Sequence, residues 1–288
     1  MSLQMNSQKF VKLSEDFFAD ADYAQAFRKL GMTCLDKVFD FDAGQNLDKA
    51  GLAKHRTRIK FDLHEPNVTL FLKRYDRPPK LTQIKNWLHH HQRSSTSAFD
   101  NSAAEQLAAV GIDTPRTIAY GRQWTRGFEK RSFIITREIP DGESLERKLP
   151  DFFYEEPSAQ NLKQRREFIE RLADFVRRFH ETGFRHCDLY LAHIFLTDKG
   201  KFYLIDLQRA FKPILFSRRF RVKDVAQLYY SAPAKYFSRS DRLRFYLRYT
   251  GSEKPGWSDK RFIRKVKVRA GRIARHDMRH GRAVGFAR

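Results

Sequence analysis

The chain has 288 residues, 41% of them hydrophobic and 26 of them Phe, enough apolar material for one large core or for two lobes. No apolar run approaches the roughly 18 residues of a membrane span, and the N-terminal MSLQMNSQKFVKL lacks the apolar core of a signal peptide. Two cysteines rule out a disulfide framework, so a cytoplasmic protein is expected. Lys and Arg number 56 against 34 Asp and Glu, a formal charge of +22, and the pI is near 10.1. That excess predicts an anionic partner: nucleic acid, an acidic membrane surface or a phosphorylated substrate.

HRTRIKFDL, residues 55–63, alternates Ile59, Phe61 and Leu63 with polar residues. The turn HEPN follows and VTLFLKRY continues the pattern, which predicts a β-hairpin with Lys73 late in its second strand. Phe71 and Leu72 beside Lys73 predict a strand covered on both faces. PKLTQIKNWLHHHQ reads as a helix, SSTSAFDNS as a loop, and SAAEQLAAVG as a short helix stopped by Gly111. The run His89-His90-His91 reads as surface rather than a metal tract, because consecutive helical residues point apart. RSFIITREI is a buried strand ended by Pro140-Asp141-Gly142. The period then turns helical, with Leu162, Ile169, Leu172, Val176 and Phe179 on one face and Gly183 as the stop. HIFLT and KFYLIDL are two short strands across an Asp-Lys-Gly turn, and DVAQLYY begins a helix at Asp224. From Asp259 onward eleven Lys/Arg face two Asp, with Phe262, Ile263, Val266 and Ile273 interspersed. That segment reads either as a helix lying on an anionic surface or as a solvated basic tail.

A strand-borne Lys, a helix, a buried strand leading to a Pro/Gly hinge, a long helix, an H-x-D loop and a hairpin closing on Asp follow the order of a protein-kinase phosphotransfer site. His186-Cys187-Asp188-Leu189 stands where the pattern has H-R-D-L, with Asp188 to accept the hydroxyl proton. His193 lies five residues on, at the metal-ligand offset, and Asp206 takes the place of the metal-binding Asp of D-F-G. Singly, these residues have plainer readings as an exposed strand lysine, a turn cap and a strand end; the joint spacing favours chemistry. Imidazole is an unusual ligand for Mg²⁺, which leaves His193 open between metal ligation and orienting Asp188 or the substrate. For Lys73 the candidate partners are Asp100, seven residues before Leu107 on the face shared with Val110, and Glu105, which completes S-A-A-E with Ser102; Asp100 is preferred. No G-x-G-x-x-G occurs, and Gly44 and Gly51 are the only glycines in the loop that leads into the hairpin, so the phosphate-covering loop is not located. Seventeen residues separate Asp206 from Asp224, little room for a peptide-binding segment, which favours a small or sugar hydroxyl.

The segments LFLKRYDRPP, VGIDTPRTIAYG, RSFIITREI, the H-x-D-x-Y-x-x-H run ending at His193, and IDLQRA resemble the lipopolysaccharide core kinases, which phosphorylate heptose or Kdo sugars, over roughly residues 51–249. The resemblance implies an α+β, protein-kinase-like fold: a small β-rich N-lobe (1–138), a larger, mainly helical C-lobe (139–258) and a basic C-terminal tail (259–288). It implies ATP and Mg²⁺ as cofactors, Asp188 as base and Lys73 on the phosphates. It also implies adenine against Glu138 and Ile139, and metal at Asp206 and His193. The family usually carries Glu where Asp100 stands. The implied substrate is the lipopolysaccharide core glycolipid, met by a peripheral protein on the anionic inner face of the bacterial inner membrane; nucleic acid is not the expected partner. Two further readings stay open: a kinase of another glycan or small-molecule hydroxyl, and an inactive kinase-like protein that binds anionic lipid or nucleic acid. Oligomeric state leaves no signal.

Overall fold

The computed structural model describes residues 10–48, 55–153 and 159–281, and Gly51, weighed above for the phosphate-covering loop, lies outside them. The chain divides into two compact units, residues 1–105 with 115–139, and residues 106–114 with 140–288. The stretch 106–114 therefore leaves the N-lobe read from the sequence. Its Asp113 carbonyl accepts the N–H of Leu204, 3.0 Å away, in the second unit.

The first unit is a seven-stranded antiparallel sheet with helices. In chain order it comprises β1 (Phe10–Ser14), β2 (Phe17–Asp20), α1 (Ala24–Lys29), α2 (Leu35–Asp40), β3 (Gln45–Asn46), β4 (Arg56–Leu63), β5 (Val68–Asp76), α3 (Lys80–His90), α4 (Thr96–Ala109) as far as Glu105, β6 (Thr117–Thr125) and β7 (Phe128–Arg137). Across the sheet the order is β1-β2-β6-β7-β5-β4-β3. The alternation in residues 55–63 does its work in β4, whose Ile59, Phe61 and Leu63 are buried, while β7 lies between β5 and β6 with Phe133, Ile134 and Ile135 fully enclosed. Phe27 of α1 and Leu35 and Val38 of α2 close over Phe17, Leu72 and Phe133. Each such side chain removed from water contributes about 1.5–3 kcal/mol.

One expectation fails here. SSTSAFDNS is not a loop, because α4 already begins at Thr96. The carboxylate of Glu129, thirty-three residues away, accepts the Thr96 N–H (2.8 Å) and hydroxyl (2.9 Å), and Ser95 Oγ accepts the Ala98 N–H. A side chain from β7 thus serves as the N-terminal cap, a long-range device that local propensity does not register. The S-A-A-E box does not start the helix; Glu105 accepts from Asn101 Nδ2 instead.

The second unit holds β8 (Gly142–Ser144), α5 (Leu145–Phe153), α6 (Ala159–Glu181), β9 (Ile194–Thr197), β10 (Phe202–Leu204), α7 (Ser217–Ser231), α8 (Arg239–Thr250) and α9 (Trp257–Arg279), with β8, β9 and β10 in a small antiparallel sheet. Ile169, Leu172, Val176 and Phe179 form the buried stripe of α6, though Leu162 at its start is exposed, and Gly183 ends it at φ 88°. Helix α7 starts at Ser217, seven residues before Asp224, so Asp224 sits inside the helix rather than at its start. The basic segment after Asp259 is not a tail as far as Arg279. It is α9, packed on α7 through Phe262, Val266, Ala270 and Ala274, with Tyr246 donating to Asp259 and Tyr230 to Asp277. Its apolar residues recur every four positions and face inward, which turns the Lys and Arg outward. Helices α6 to α9 enclose an apolar cavity of about 360 Å³ that Leu172, Leu228, Tyr246 and Val266 help to line; Asp188, His193 and Asp206 do not.

In the histidine run, His91 is exposed, but His90 stacks on Phe99 with ring centroids 3.9 Å apart. Burial, helped by the neighbouring His89 and His91, lowers its pKa from 6.5 to about 4. Between these values the unfolded chain binds a proton that the folded chain refuses, so stability is full above about pH 6.5 and declines toward pH 4. Urea unfolding at pH 7 and pH 5 should show a smaller acid loss in His90→Phe than in the parent; an identical loss would contradict the assignment.

Candidate active site

In the first unit, β5 carries Lys73 opposite Arg58 of β4 and Ile134 of β7. Its ammonium lies 2.9 Å from Asp100 Oδ2, and the two side chains are 16% and 8% exposed, so the pair is largely withdrawn from water. Of the two candidate partners, Asp100 is the one in contact, because Glu129 starts α4 early enough to include it. Glu129 is itself buried, which raises its pKa, against the lowering effect of the hydrogen bonds from Ser132 and Thr96. Glu138, just beyond β7, accepts from Lys60 Nζ at 2.9 Å and donates its N–H to Thr69; Ile139 follows, buried.

In the second unit, the loop between α6 and β9 holds Asp188 and His193, and Asp206 follows β10. Asp224 of α7, fully buried, organises the loop: its two carboxylate oxygens accept the N–H of His186 and of Cys187, each at 2.8 Å. Cys187 is thereby held at φ 63°, in the left-handed region that costs a non-glycine residue about 1–2 kcal/mol. The bent backbone is what the paired acceptor recognises. Gln227, one turn on, accepts the Leu189 N–H and donates to the Cys187 carbonyl and, at 3.4 Å, to Asp188 Oδ1. His180 completes the base of the site, with Nε2 3.2 Å from Asp224 and Nδ1 2.7 Å from the Tyr249 hydroxyl. Burial lowers the His180 pKa despite Asp224, so the ring is neutral, donating from Nε2 and accepting from Tyr249.

His193 Nδ1 lies 2.7 Å from the carbonyl oxygen of Asp188. A carbonyl only accepts, so Nδ1 carries a hydrogen, and Nε2 is left on the side of Asp206, 3.9 Å from Oδ2. Asp206 sits at φ 60°, also left-handed. His186, buried and kept neutral chiefly by that burial, spans from the loop to the Ile205 carbonyl through Nε2, 3.0 Å, and so ties the Asp188 loop to the Asp206 turn. Arg209, half-exposed, reaches to 3.7 Å from Asp188 Oδ1. Lys223 lies one helical turn before Gln227 on the same face of α7, where burial lowers its pKa against the raising effect of Cys187 and Asp224. Burial, then Asp224, pushes the Cys187 thiol up to about 12, so it stays protonated and is no nucleophile.

Asp206 and His193 offer one carboxylate oxygen and one imidazole nitrogen that would face a shared divalent cation. Two ligands of one Mg²⁺ at about 2.1 Å each can stand up to about 4.2 Å apart, and Asp206 Oδ2 and His193 Nε2 fall within that span. The hydrogen bond from Nδ1 to a backbone carbonyl is the usual means of orienting a ligating imidazole. No cluster of three or more His, Cys, Asp or Glu placed to hold a metal occurs among the described residues. Such a cation would therefore also draw on substrate oxygens and water, as Mg²⁺ commonly does.

Sequence reasoning missed Glu129, Gln227 and Lys223, and it read Asp224 only as a helix start. The signal for two of them was present: Asp224 and Gln227 are polar residues three apart inside the apolar run DVAQLYY, a spacing that puts both on one buried face. Nothing local marks Glu129.

A sequence profile of the lipopolysaccharide kinase (Kdo/WaaP) family matches residues 50–249. The lipopolysaccharide core heptose(I) kinase WaaP of Escherichia coli K12 is 29% identical over 235 residues, 78% of this chain and 87% of that one. The protein of the same name from Pseudomonas aeruginosa PAO1 is 35% identical over 150 residues, 50% of this chain and 55% of its own length. Among solved structures, WaaP in complex with acyl carrier protein superposes with a TM-score of 0.64 at 22% identity, over 86% of this chain and 95% of the other, and shows the shared kinase-like fold.

Asp224→Asn leaves one acceptor oxygen for two N–H donors. Each hydrogen bond to a buried charge contributes about 1.5–3 kcal/mol, so urea unfolding should show a loss of at least that order. Unchanged stability would contradict the role given to Asp224.

Proposed function

The chain belongs to the lipopolysaccharide kinase (Kdo/WaaP) family, and on that premise we propose that it transfers the γ-phosphoryl group of ATP, with Mg²⁺, to a hydroxyl of heptose in the lipopolysaccharide inner core. The observation that carries this reading is the grouping of Asp188, His193 and Asp206 on one hydrogen-bonded scaffold anchored by Asp224. Heptose is preferred to Kdo because the curated relatives are named heptose(I) kinases.

In this reading the sugar hydroxyl donates to Asp188, whose carboxylate is steadied by Gln227. The sugar oxygen bonds to the γ-phosphorus, the bond from that phosphorus to the β–γ bridging oxygen breaks, ADP leaves, and the hydroxyl proton passes to Asp188. In a loose transition state that proton moves late, so the base chiefly orients the hydroxyl. Arg209, 3.7 Å from Asp188 Oδ1, lies near enough to help orient the same carboxylate. Lys73, steadied by Asp100, contacts the phosphates as a point charge. A cation held by Asp206 and His193 would neutralise charge building on phosphate oxygens. Adenine is assigned to the backbone at Glu138 and Ile139. The Glu138 N–H is already given to Thr69, which leaves its carbonyl and the Ile139 N–H for the base edge.

The acceptor class has its own support. Ten residues separate Asp206 from the start of α7, less room than the sequence suggested, so a peptide-binding segment has still less space. Among the described residues no helix is long and apolar enough to cross a membrane. With a charge of +22 and a glycolipid acceptor, the chain is assigned to the inner face of the bacterial inner membrane as a peripheral protein.

Single-turnover transfer to purified core lipopolysaccharide tests the base. Asp188→Asn should slow transfer by about a hundredfold to ten-thousandfold, with ATP affinity by calorimetry little changed. A variant with the parent's turnover would remove Asp188 from the mechanism.

A further inference from the structure

The segment between the Asp206 turn and α7 reads Phe-Lys-Pro-Ile-Leu-Phe-Ser-Arg-Arg-Phe, residues 211–220. Ile214, Leu215 and Phe216 are three consecutive large apolar side chains, exposed by 72%, 69% and 71%. Single exposed apolar residues are ordinary, but a contiguous set ringed by charge marks an interaction site. Here Lys212 precedes the triplet and Arg218 and Arg219 follow it, all exposed.

The triplet is held out by a braced base. Phe211 and Arg185 exchange both backbone hydrogen bonds, Arg185 Nη2 donates to Ser217 Oγ at 2.8 Å, and Phe211 meets Phe220 edge to face with centroids 5.0 Å apart. Lys212 Nζ lies 4.8 Å from the Phe184 ring centroid. Both ends of the loop are thus pinned on one buried residue, Arg185, which immediately precedes the His186-Cys187-Asp188 loop. At the tip, Phe216 takes φ 59°, a left-handed conformation that a bulky residue rarely adopts and that surrounding structure must impose. The Phe216 carbonyl accepts the N–H groups of Arg219 and Phe220 as α7 begins, while its side chain stays in solvent.

We propose that residues 212–219 form a membrane-contact loop: Ile214, Leu215 and Phe216 enter the interfacial region of an anionic leaflet while Lys212, Arg218 and Arg219 meet lipid phosphates. Apolar side chains flanked by cations are the composition that binds such an interface, through buried area plus attraction to acidic lipid. Helix α9 exposes Lys260, Arg264, Lys267 and Arg272, but its exposed apolar side chains, Trp257, Val268 and Met278, stand about ten residues apart and form no contiguous set. The proposal rests on the glycolipid-kinase reading for its purpose: a loop braced on Arg185 would set the height of the Asp188 loop above the surface that carries the acceptor.

The test uses the full chain and vesicles of phosphatidylglycerol with phosphatidylethanolamine, against phosphatidylcholine alone. Substituting Ser at Ile214, Leu215 and Phe216 together should reduce partition to the anionic vesicles by about tenfold or more and leave transfer to deacylated core oligosaccharide unchanged. Because the substituted side chains are exposed, folding is preserved. Leu215→Trp, read as the difference from the parent, should shift its emission to the blue on vesicle binding and be quenched by brominated lipid. Unchanged partition of the triple variant, or a Trp at 215 with neither shift nor quenching, overturns the proposal. So does loss of self-association by the triple variant with vesicle partition intact, which would assign the patch to a second copy of the chain. Failure of the parent to phosphorylate even the deacylated acceptor would instead remove the kinase reading, and the vesicle measurements would stand apart from it.

Discussion

Asp224 brings a carboxylate into a place with no solvent exposure and receives there two consecutive backbone N–H groups, from His186 and Cys187, at 2.8 Å each. The backbone bends through the left-handed region at Cys187, a bend that turns consecutive N–H groups toward one carboxylate. The direction of the next residue, Asp188, follows from that bend. From Asp188 the constraint runs on through its carbonyl to the ring of His193, which fixes the tautomer, and through His186 to the turn that carries Asp206. Without the buried acceptor the bend is merely costly, and the groups downstream of it lose their common reference.

The first unit solves a similar problem with the same chemistry. Glu129, buried on β7, accepts the N–H and hydroxyl of Thr96 and thereby begins α4 early enough for Asp100 to reach Lys73. In both units an acceptor-only side chain, remote in sequence, captures backbone donors that would otherwise be orphaned, and so positions a functional residue it does not touch. Truncating either partner of the Lys73–Asp100 pair would leave the other charge largely withdrawn from water, a change that costs about 3–5 kcal/mol in buried pairs. The pair therefore specifies geometry more than it adds stability.

What could be read from the sequence follows the range of the interactions. The hairpin of β4 and β5, the buried β7, the stripe of α6 and the small β9–β10 hairpin are written in local periodicity, and the structure contains them. The start of α4 depends on Glu129, thirty-three residues on, and local rules therefore make Ser94–Ser102 a loop. The basic segment after Asp259 looked like a possible tail because eleven cations dominate its composition, yet Phe262, Val266, Ala270 and Ala274 at four-residue spacing dock it on α7. Strands β1 and β2 and helices α1 and α2 drew no reading, being short elements without a long period. At the site, spacing alone brought forward Lys73, Asp188, His193 and Asp206, whereas the residues that hold them in place are ordinary helix and strand positions whose meaning appears only when the chain is folded.

The central claim is that Asp206 belongs to a phosphotransfer centre acting on the lipopolysaccharide core. It is tested most directly by following labelled phosphate from ATP into purified core lipopolysaccharide in a single turnover, beside Asp206→Ala. The account predicts label in the core sugar of the parent reaction and none above background in the variant. Equal incorporation by both, or ATP binding by the parent with no incorporation into any core sugar, would contradict it.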